Sequence, residues 1–433
     1  MAPEKNVDKP IGLSHQKYER QSKGSMDMRF LHNKYPLMAI MTIILHAVLP
    51  LALFSGDMQT ADSSNSAERQ KRMPHFSWDH VQCYMHIRKD TAFTREEVAY
   101  LAQFPLITFE KTTGARGFGS TEKGTLAAAR AIKAINPKVK ILFYWNVFVR
   151  WANGAYDSYK ALNELPGQVL LTDRAGKPVL IRNKVPAYDL TNPAVREWWI
   201  TTAQKVCSDP AIDGVFVDAV VKVMADGFLK SRIGEAKKQA IKRQFFGMMK
   251  SLRERLGPDK LMVGNLLRSL LPDAGMGALH LFDGSYMESF CGGRGGEEAR
   301  IAYTAKSIRA FQEAARAGYL VAFTKGWGHK LKTPYSAKTP FSVIMNEEER
   351  KRFYYALGLF LICAEKYSYF LVHDGYDAKR SHTWMMKLPD ELRRPLGSPK
   401  GPAQCRGHEY RREFAHASVR VDIAKEEAKI QWH

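Results

Sequence analysis

The stretch Ile212–Val220 reads IDGVFVDAV, and it decides how the rest of the chain is interpreted. It is a short apolar run, rich in β-branched residues and entered through Asp-Gly, which is typical of a buried parallel strand. Its carboxylate, Asp218, stands at the far end of the run, where α/β folds place their chemistry. The alternative is that Asp218 only caps the following helix or pairs with a nearby lysine.

Seven further apolar runs share this character and alternate with amphipathic segments, which is the signature of βαβ units and a parallel sheet. Helix starts support the alternation: Thr94 and Glu97 fit a capping box, and Asn192 before Pro193 fits an N-cap followed by the first helical position. The other predicted strands are Val81–Ile87, Pro105–Glu110, Val139–Phe148, Leu261–Leu267, Leu279–Phe290, Tyr319–Trp327 and Lys366–His373.

Eight strand–helix alternations over about 300 residues predict an α/β fold, a (β/α)8 TIM barrel that spans residues 77–388. A doubly wound sheet is the alternative, but no G-x-G-x-x-G follows the first strand, so no dinucleotide or other cofactor is predicted. The irregular stretch Arg150–Tyr188 is too long for a simple connection and is predicted to be a functional or packing excursion. Residues 389–433 are predicted to form a small C-terminal β extension, with strands at Glu413–Ile423 and Ala428–Trp432, that closes over the barrel.

The first 76 residues differ from the rest of the chain in composition. Residues 1–36 are polar and basic, residues 37–56 contain the uncharged run Leu37–Phe54, and residues 57–76 are predicted to be a polar linker. An uncharged run of this length after a basic flank is typical of a signal peptide or an N-terminal membrane anchor. We expect export to the periplasm or the extracellular space, with any membrane contact confined to residues 37–54. A start at Met26 or Met28 would give a signal of ordinary length.

Lys and Arg exceed Asp and Glu by 21, and most of the excess lies beyond residue 72. Such a balance suits nucleic acid, anionic lipid or an acidic polymer. The sequence has no zinc finger, helix-turn-helix or array of basic and aromatic residues, so no nucleic-acid partner is predicted. The five cysteines form no C-x-x-C and the 13 histidines form no H-x-H or H-x-x-x-H, so no metal site is predicted.

Four predicted strands end at a carboxylate, the position where TIM barrels hold their active sites. These residues are Glu110, Asp218, Glu288 and Asp374. Glycoside hydrolysis needs two carboxyl groups flanking one bond, one to protonate the leaving oxygen and one to attack or to activate water. Asp218 and Glu288, two β/α units apart, are predicted to be the catalytic pair, and Glu110 is a rival. The structural alternative is that such carboxylates cap helices or bind arginine.

Aromatic and polar residues near the same rim are predicted to bind substrate, because ligand pockets combine apolar walls with a few placed polar groups. Core packing is the alternative, and it is what we expect for Trp198 and Trp199. The loop Gly292–Gly296 could be a mobile flap or an anion contact. Trp151, Tyr188 and Tyr286 belong to the same set of rim aromatics. The predicted substrate-binding residues are Glu110, Tyr144, Trp145, Asn146, Asn265, Arg294, Trp327, His373 and Asp374.

Several segments resemble a known family. Tyr188–Trp199 (YDLTNPAVREWW), followed by Asp213–Asp218, is similar to the region around the fourth strand in α-glycosidase-type barrels. The run from Ser77 to the end, including Arg411–Phe414 (RREF) and Ala428–Trp432 (AKIQW), resembles glycosyl-hydrolase-like family fifteen. This resemblance implies a TIM barrel. In related barrel glycosidases, the Asp that ends the fourth strand is the nucleophile and an acid on a later strand is the proton donor, which implies these roles for Asp218 and Glu288.

Two main hypotheses follow for the function, beside a third, a membrane-tethered structural protein, which would have no concave pocket lined by aromatic residues. The first is a glycoside hydrolase that acts on an extracellular poly- or oligosaccharide, retaining if the two carboxylates lie close together and inverting if they lie further apart. The basic surface and Arg294 would suit an acidic or sulfated polysaccharide. The second is a non-catalytic carbohydrate-binding protein on a TIM-barrel scaffold. The separation of Asp218 and Glu288 discriminates between them.

Overall fold

Eight parallel strands, in the order in which they occur in the chain, form one sheet that curls into a barrel. The structure is a computed structural model that describes residues 67–151, 154–293, 295–326, 345–381 and 383–433. The predicted TIM barrel is confirmed. Its strands are β1 (Met85–Ile87), β2 (Leu106–Phe109), β3 (Lys140–Asn146), β4 (Gly214–Asp218), β5 (Leu261–Asn265), β6 (Gly284–Met287), β7 (Leu320–Gly326) and β8 (Ser368–His373).

The ring closes between β8 and β1 through a narrow joint. Phe370 pairs with Cys83 in an isolated parallel bridge, donating its N–H to Gln82 O at 2.8 Å and accepting from Tyr84 N at 3.2 Å. Strand β1 is therefore shorter than the predicted Val81–Ile87, because only its last residues, Met85–Ile87, pair continuously with β2.

Helices cover the outside of the barrel, and their starts follow the sequence signals. Thr94 and Glu97 form the predicted capping box, and Asn192 caps the helix that has Pro193 at its first position. The α-helices are α1 (Arg95–Leu101), α2 (Ala115–Phe118), α3 (Thr121–Ile135), α4 (Tyr159–Asn163), α5 (Pro193–Cys207), α6 (Val220–Met224), α7 (Lys230–Ile233), α8 (Glu235–Leu256), α9 (Glu297–Arg316) and α10 (Glu347–Cys363).

The predicted sixth strand, Leu279–Phe290, is wrong at its start. Residues Met276–Leu281 form a 3-10 helix, which begins where Asp273 accepts hydrogen bonds from the N–H groups of Gly275 and Gly277. The buried leucines of this turn have the hydropathy of a strand, but the aspartate directs the backbone into a helix. Strand β6 begins only at Gly284.

The excursion between β3 and α5 contains the short helix α4 and a small hairpin, Leu180–Ile181 paired with Val185–Pro186. The N–H of Lys184 bonds to Ile181 O at 3.1 Å across the turn. Both central residues of the turn, Arg182 and Asn183, have positive φ values of 53° and 54°. This is the geometry of a type I′ turn, which glycine and asparagine usually occupy.

The C-terminal extension is a four-stranded antiparallel sheet: β9 (Gln404–Arg406), β10 (Glu409–Glu413), β11 (Ala417–Asp422) and β12 (Glu427–Trp432). It packs on the outer face of α10 rather than closing over the barrel as predicted. Gly358 lets it approach, since a Cβ there would lie 2.6 Å from the Cβ of Ala428. The buried guanidinium of Arg412 donates to the main-chain oxygens that end α10 and pairs with Glu365.

Part of the predicted linker is a plug at the N-terminal end of the barrel. Residues 67–72 are helical, and Arg72 pairs with the buried carboxylate of Asp283 at 2.8 Å. Tyr369 donates a hydrogen bond to the main chain of residues 74 and 75, and Phe76 packs edge-on against the same tyrosine. The polar composition of residues 57–76 concealed these few anchoring side chains.

Leu37–Phe54, the predicted signal or anchor, lies outside the described residues. Across the part of the chain that the structure does describe, no helix has the length and apolar character needed to cross a membrane.

Candidate active site

Asp218 and Glu288 stand where β4 and β6 end, and at both places the backbone turns sharply. The next residues, Ala219 and Ser289, have φ values of 67° and 57°. A non-glycine residue in this left-handed region is strained, and such strain is held in place only by surrounding structure, often at functional sites. Each turn leads the chain out of its strand directly after the carboxylate.

Asp218 accepts three side-chain hydrogen bonds. Oδ2 accepts from the hydroxyl of Tyr144 at 2.5 Å and from Asn146 Nδ2 at 2.8 Å, and Oδ1 accepts from Asn265 Nδ2 at 3.0 Å. Burial would raise the pKa of this carboxyl, but the Tyr144 hydrogen bond and the charge of Lys111 outweigh it and hold the pKa below its ordinary value. Asp218 is therefore a fixed carboxylate at neutral pH.

Backbone hydrogen bonds fix the side chain of Asn146 so that its amide nitrogen can donate to Asp218. Its Oδ1 accepts from the backbone N–H groups of Phe148 and Val149 at 3.0 and 2.6 Å. This fixes the orientation of the amide and leaves Nδ2 directed at Asp218. Asn146 is buried and acts on the carboxylate rather than lining the cavity.

Glu288 is partly exposed and is fixed through one oxygen. Oε2 accepts from Arg268 Nη2 at 3.1 Å and from Asn265 Nδ2 at 3.3 Å. The same Arg268 nitrogen donates to Asn265 Oδ1 at 2.8 Å, which orients the amide between the carboxylates. Among the described residues, Oε1 of Glu288 has no hydrogen-bond partner.

Asn265 joins the two carboxylates, because its Nδ2 is bonded to both. With the two bonds at 3.0 and 3.3 Å, Asp218 Oδ1 and Glu288 Oε2 lie within about 6.3 Å of each other. Two carboxyl groups at such a distance can flank one glycosidic bond.

The carboxylates open into a cavity of about 1420 Å³, including the solvent at its mouth. The predicted residues Glu110, Tyr144 and Asn265 line it, as do the rim aromatics Trp151 and Tyr286. The sequence did not single out the basic residues of the lining, because they follow strand ends at irregular spacings or come from the excursion, and no local pattern marks them. They include Arg88, Lys111, Arg182, Lys222 and Arg268, with His86 and Tyr376.

Glu110 is buried in the cavity wall and neutralised by two cations. Arg88 contacts it at 2.5 Å, and Lys111 also pairs with it. Arg88 reaches Asp377 as well, at 3.7 Å. Glu110 therefore lines the same cavity as the pair but belongs to an ion-pair cluster of its own.

The floor of the cavity is a neutral histidine among aromatic rings. His86 lies with its ring centroid 4.7 Å from Tyr376, 5.0 Å from Phe216 and 5.3 Å from Tyr286. Burial, followed by the charge of Lys111, lowers the pKa of His86 to about 3. Its Nδ1 atom has no partner among the described residues.

Three residues predicted to bind substrate lie elsewhere. Trp145 alternates with Tyr144 along β3, so it faces the helices, where it stacks on Trp199 and donates to Trp199 O at 3.1 Å. Asp374 turns into its own loop and accepts from Ser381 at 2.6 Å and from a nearby threonine hydroxyl. His373 stacks on Tyr376 but does not line the cavity.

Two further predicted residues, Arg294 and Trp327, lie outside the described residues. Tyr188, another rim aromatic, is buried in the core and bonds to the hydroxyl of Tyr159 at 3.2 Å. Trp198 and Trp199 are core residues, as expected. Over the described ranges, no group of three or more His, Cys, Asp or Glu side chains could hold a metal ion.

Solved structures with a similar arrangement include a maltogenic α-amylase from Thermotoga neapolitana, with TM-score 0.42, 11% identity, and coverage of 79% of this chain and 86% of that one. An α-amylase from Geobacillus thermoleovorans, solved with acarbose, has TM-score 0.46, 12% identity and coverage of 80% and 87%. An α-galactosidase from Geobacillus stearothermophilus has TM-score 0.43 and 11% identity, and the match covers 83% of this chain and 50% of the larger protein.

No relative was found among curated proteins. A family model described as "hypothetical glycosyl hydrolase family 15" matches residues 133–418. The match runs from just before β3 into the C-terminal sheet, and so includes both strands that carry the paired carboxylates. The chain therefore belongs to hypothetical glycosyl hydrolase family 15.

Proposed function

We propose that the protein is a glycoside hydrolase in which Asp218 and Glu288 are the catalytic pair. The observation that carries the proposal is the shared hydrogen-bond donor, Asn265, which fixes the two carboxylates within about 6.3 Å of each other. Membership of a glycosyl hydrolase family supports the same reaction class.

The surroundings of each carboxylate favour different roles. Asp218 is charged and held by three donors, so it suits attack on the anomeric carbon of the sugar. Glu288 has an oxygen without a partner among the described residues, and this oxygen suits proton transfer to the leaving glycosidic oxygen. The short separation supports the retaining alternative, because inverting enzymes need room for a water molecule between the sugar and the base.

In this mechanism, Asp218 forms a bond to the anomeric carbon as the glycosidic bond breaks and Glu288 gives its proton to the departing oxygen. Glu288, now a carboxylate, then removes a proton from water. The resulting hydroxide equivalent displaces Asp218, which restores both carboxyl groups. Asn146 and Asn265 are positioning residues for the pair.

The substrate that we propose is an extracellular poly- or oligosaccharide. The open mouth admits a chain, and the half-buried rings of Trp151 and Phe228 offer faces for sugar rings. The apolar run Leu37–Phe54 remains the basis for proposing export to the periplasm or the extracellular space. The excess of basic side chains in the cavity supports an acidic or sulfated polymer.

The test is turnover on a panel of polysaccharides and aryl glycosides. Asp218→Asn and Glu288→Gln should each lower kcat at least about a thousandfold, the scale seen when one member of a catalytic unit is removed. Circular dichroism and thermal unfolding should show that both variants remain folded. Full activity in either variant would exclude that residue from the mechanism.

A non-catalytic carbohydrate-binding protein is the second candidate. The ion pair between Glu288 and Arg268, at 3.1 Å, favours it, because a proton donor must give up that contact. This candidate predicts saturable binding of an oligosaccharide by the wild-type protein with no new reducing ends after prolonged incubation.

A further inference from the structure

The cavity carries more positive than negative charge, and the excess has a definite position. Among the described residues, five cationic side chains and three carboxylates line it. Three of the cations are paired: Arg88 and Lys111 with Glu110, and Arg268 with Glu288. The remaining two are Lys222 and Arg182.

Lys222 is half-buried beside the catalytic pair, in the helix that follows Asp218. Within the described ranges, its ammonium group has no hydrogen-bond or ion-pair partner. Burial is the main cause that lowers the pKa of Lys222; the carboxylates of Asp218 and Glu288 oppose this shift, and the charge of Arg182 adds to it. A half-buried ammonium group without a direct hydrogen-bond partner is costly, and ligand binding is one way to offset that cost.

Arg182 reaches the cavity from the turn of the hairpin. Its guanidinium lies 5.8 Å from the ring of Trp151, and among the described residues it too lacks a carboxylate or hydrogen-bond partner. Its φ of 53° puts a long side chain at a turn position where glycine or asparagine would be less strained. Backbone strain of this kind supports a functional placement of the side chain.

We propose that Lys222 and Arg182 form a binding subsite for an anionic group, a carboxylate or a sulfate, on a sugar ring next to the bond held between Asp218 and Glu288. The inference rests on the proposed function for the position of the scissile bond. A guanidinium can bind an oxyanion through two parallel hydrogen bonds, and an ammonium adds a compact point charge. When the acid of the pair is protonated for catalysis, the positive excess in the cavity increases further.

The experiment uses the Asp218→Asn protein, so that ligands stay intact, and pairs of glycans that share one backbone. Polygalacturonate oligosaccharides are compared with their methyl esters, and sulfated dextran oligosaccharides with plain dextran oligosaccharides. Calorimetric titration should show that at least one acidic member binds about tenfold or more tightly than its neutral partner. The preferred pair identifies carboxylate or sulfate as the recognised group, and the preference should weaken as salt rises.

Single substitutions then locate the subsite. Lys222→Met and Arg182→Gln should each weaken binding of the acidic member about tenfold and leave binding of the neutral member unchanged. Lys184→Gln, at an exposed lysine of the same hairpin that does not line the cavity, is the matched control and should have no effect. The proposal is overturned if no acidic member binds, if acidic and neutral members bind equally, or if neither substitution changes the preference.

The two proposals fail in different ways. If the wild-type protein hydrolyses a glycan but binds the acidic members no more tightly than their neutral partners, the anionic subsite is wrong and the hydrolase stands. If acidic glycans bind through Lys222 and Arg182 but wild-type protein releases no product, the subsite stands and the catalytic role of the pair is wrong.

Discussion

The hydroxyl of Tyr144 donates a 2.5 Å hydrogen bond to Asp218 from the neighbouring barrel strand. Burial raises the pKa of Tyr144 well above its ordinary value, so the phenol keeps its proton and acts as a permanent donor. The bond stabilises the ionised form of Asp218, whose pKa is lowered. In the proposed mechanism, Tyr144 acts through Asp218 by stabilising the charge of that carboxylate.

Tyr144→Phe should lower kcat/KM about a hundredfold, the scale found when one preorganised donor is removed. The carboxylate form of Asp218 is needed, so activity falls as pH drops through its pKa. Burial raises the pKa of Asp218 and the phenol hydrogen bond lowers it, so removal of the phenol raises this pKa. The acidic limb of the pH–rate profile should therefore move to higher pH. An unchanged acidic limb would contradict this role.

Arg268→Gln should lower kcat more than it raises KM. The substitution removes the donor that orients both Asn265 and Glu288, so we expect a loss of about 10- to 100-fold in kcat. Arg268→Lys should recover part of the loss if charge is what matters. Arg243→Gln, at an exposed arginine of α8, is the control and should behave as wild type.

Trp145→Phe should affect stability rather than activity, although its neighbour holds Asp218. Trp145 packs on Trp199 and bonds to its main-chain oxygen, and the smaller ring leaves a void and loses this hydrogen bond. We expect the free energy of unfolding to fall by about 1–3 kcal/mol. Urea denaturation measures this, and KM on any accepted substrate should stay the same. Loss of activity without loss of stability would place Trp145 in the site after all.

Asp283→Asn should destabilise the plug at the base of the barrel. The buried carboxylate pairs with Arg72 and Arg253 and accepts from Met262 N. Its removal leaves two guanidinium groups without their counter-ion, and we expect a cost of about 3–5 kcal/mol. Glu197→Gln breaks an exposed pair with Arg255 and should cost less than about 1 kcal/mol. Equal effects in urea denaturation would argue against the plug.

His86 should make the protein less stable in mild acid. Its pKa in the folded protein is about 3, whereas the unfolded chain takes up the proton near 6.5, so protons favour unfolding between these values. From pH 7 to pH 5 the loss is about 2 kcal/mol. His86→Gln should remove that part of the slope, and His408→Gln, at an exposed histidine, should leave it unchanged. The measurement is urea denaturation at both pH values.

Much of the barrel could be predicted because its signals are local. Apolar runs and helix caps are encoded within a few residues, as Thr94 with Glu97 shows. The carboxylates Asp218 and Glu288 could be found because a strand end fixes which edge of the sheet a side chain occupies. The same rule also predicted that Trp145 lies in the site together with Tyr144. That prediction ignored the alternation of side chains along a strand, in which successive residues point to opposite faces of the sheet.

The rest depends on contacts between distant parts of the chain. Arg268 belongs to the site only because β5 and β6 are neighbours, and Arg182 reaches it from the excursion. Asp374 follows a strand end, as a site residue would, but its Oδ1 atom accepts hydrogen bonds from the hydroxyl groups of Ser381 and Thr383, which turn the carboxylate into its own loop. The pairing of Arg72 with Asp283 spans most of the barrel sequence, and no local pattern indicates it.

The narrow joint between β8 and β1 is held by isolated backbone bridges, whereas the strands β4–β6 are paired continuously. Asp218, Asn265 and Glu288 sit on β4–β6, across the ring from the joint, in continuously paired strands. Arg88, which holds Glu110, sits at the joint, where its backbone pairs with Asp377. Because fewer backbone hydrogen bonds hold the joint, we expect amide hydrogen exchange to be faster beside Arg88 than in the strands that carry Asp218 and Asn265.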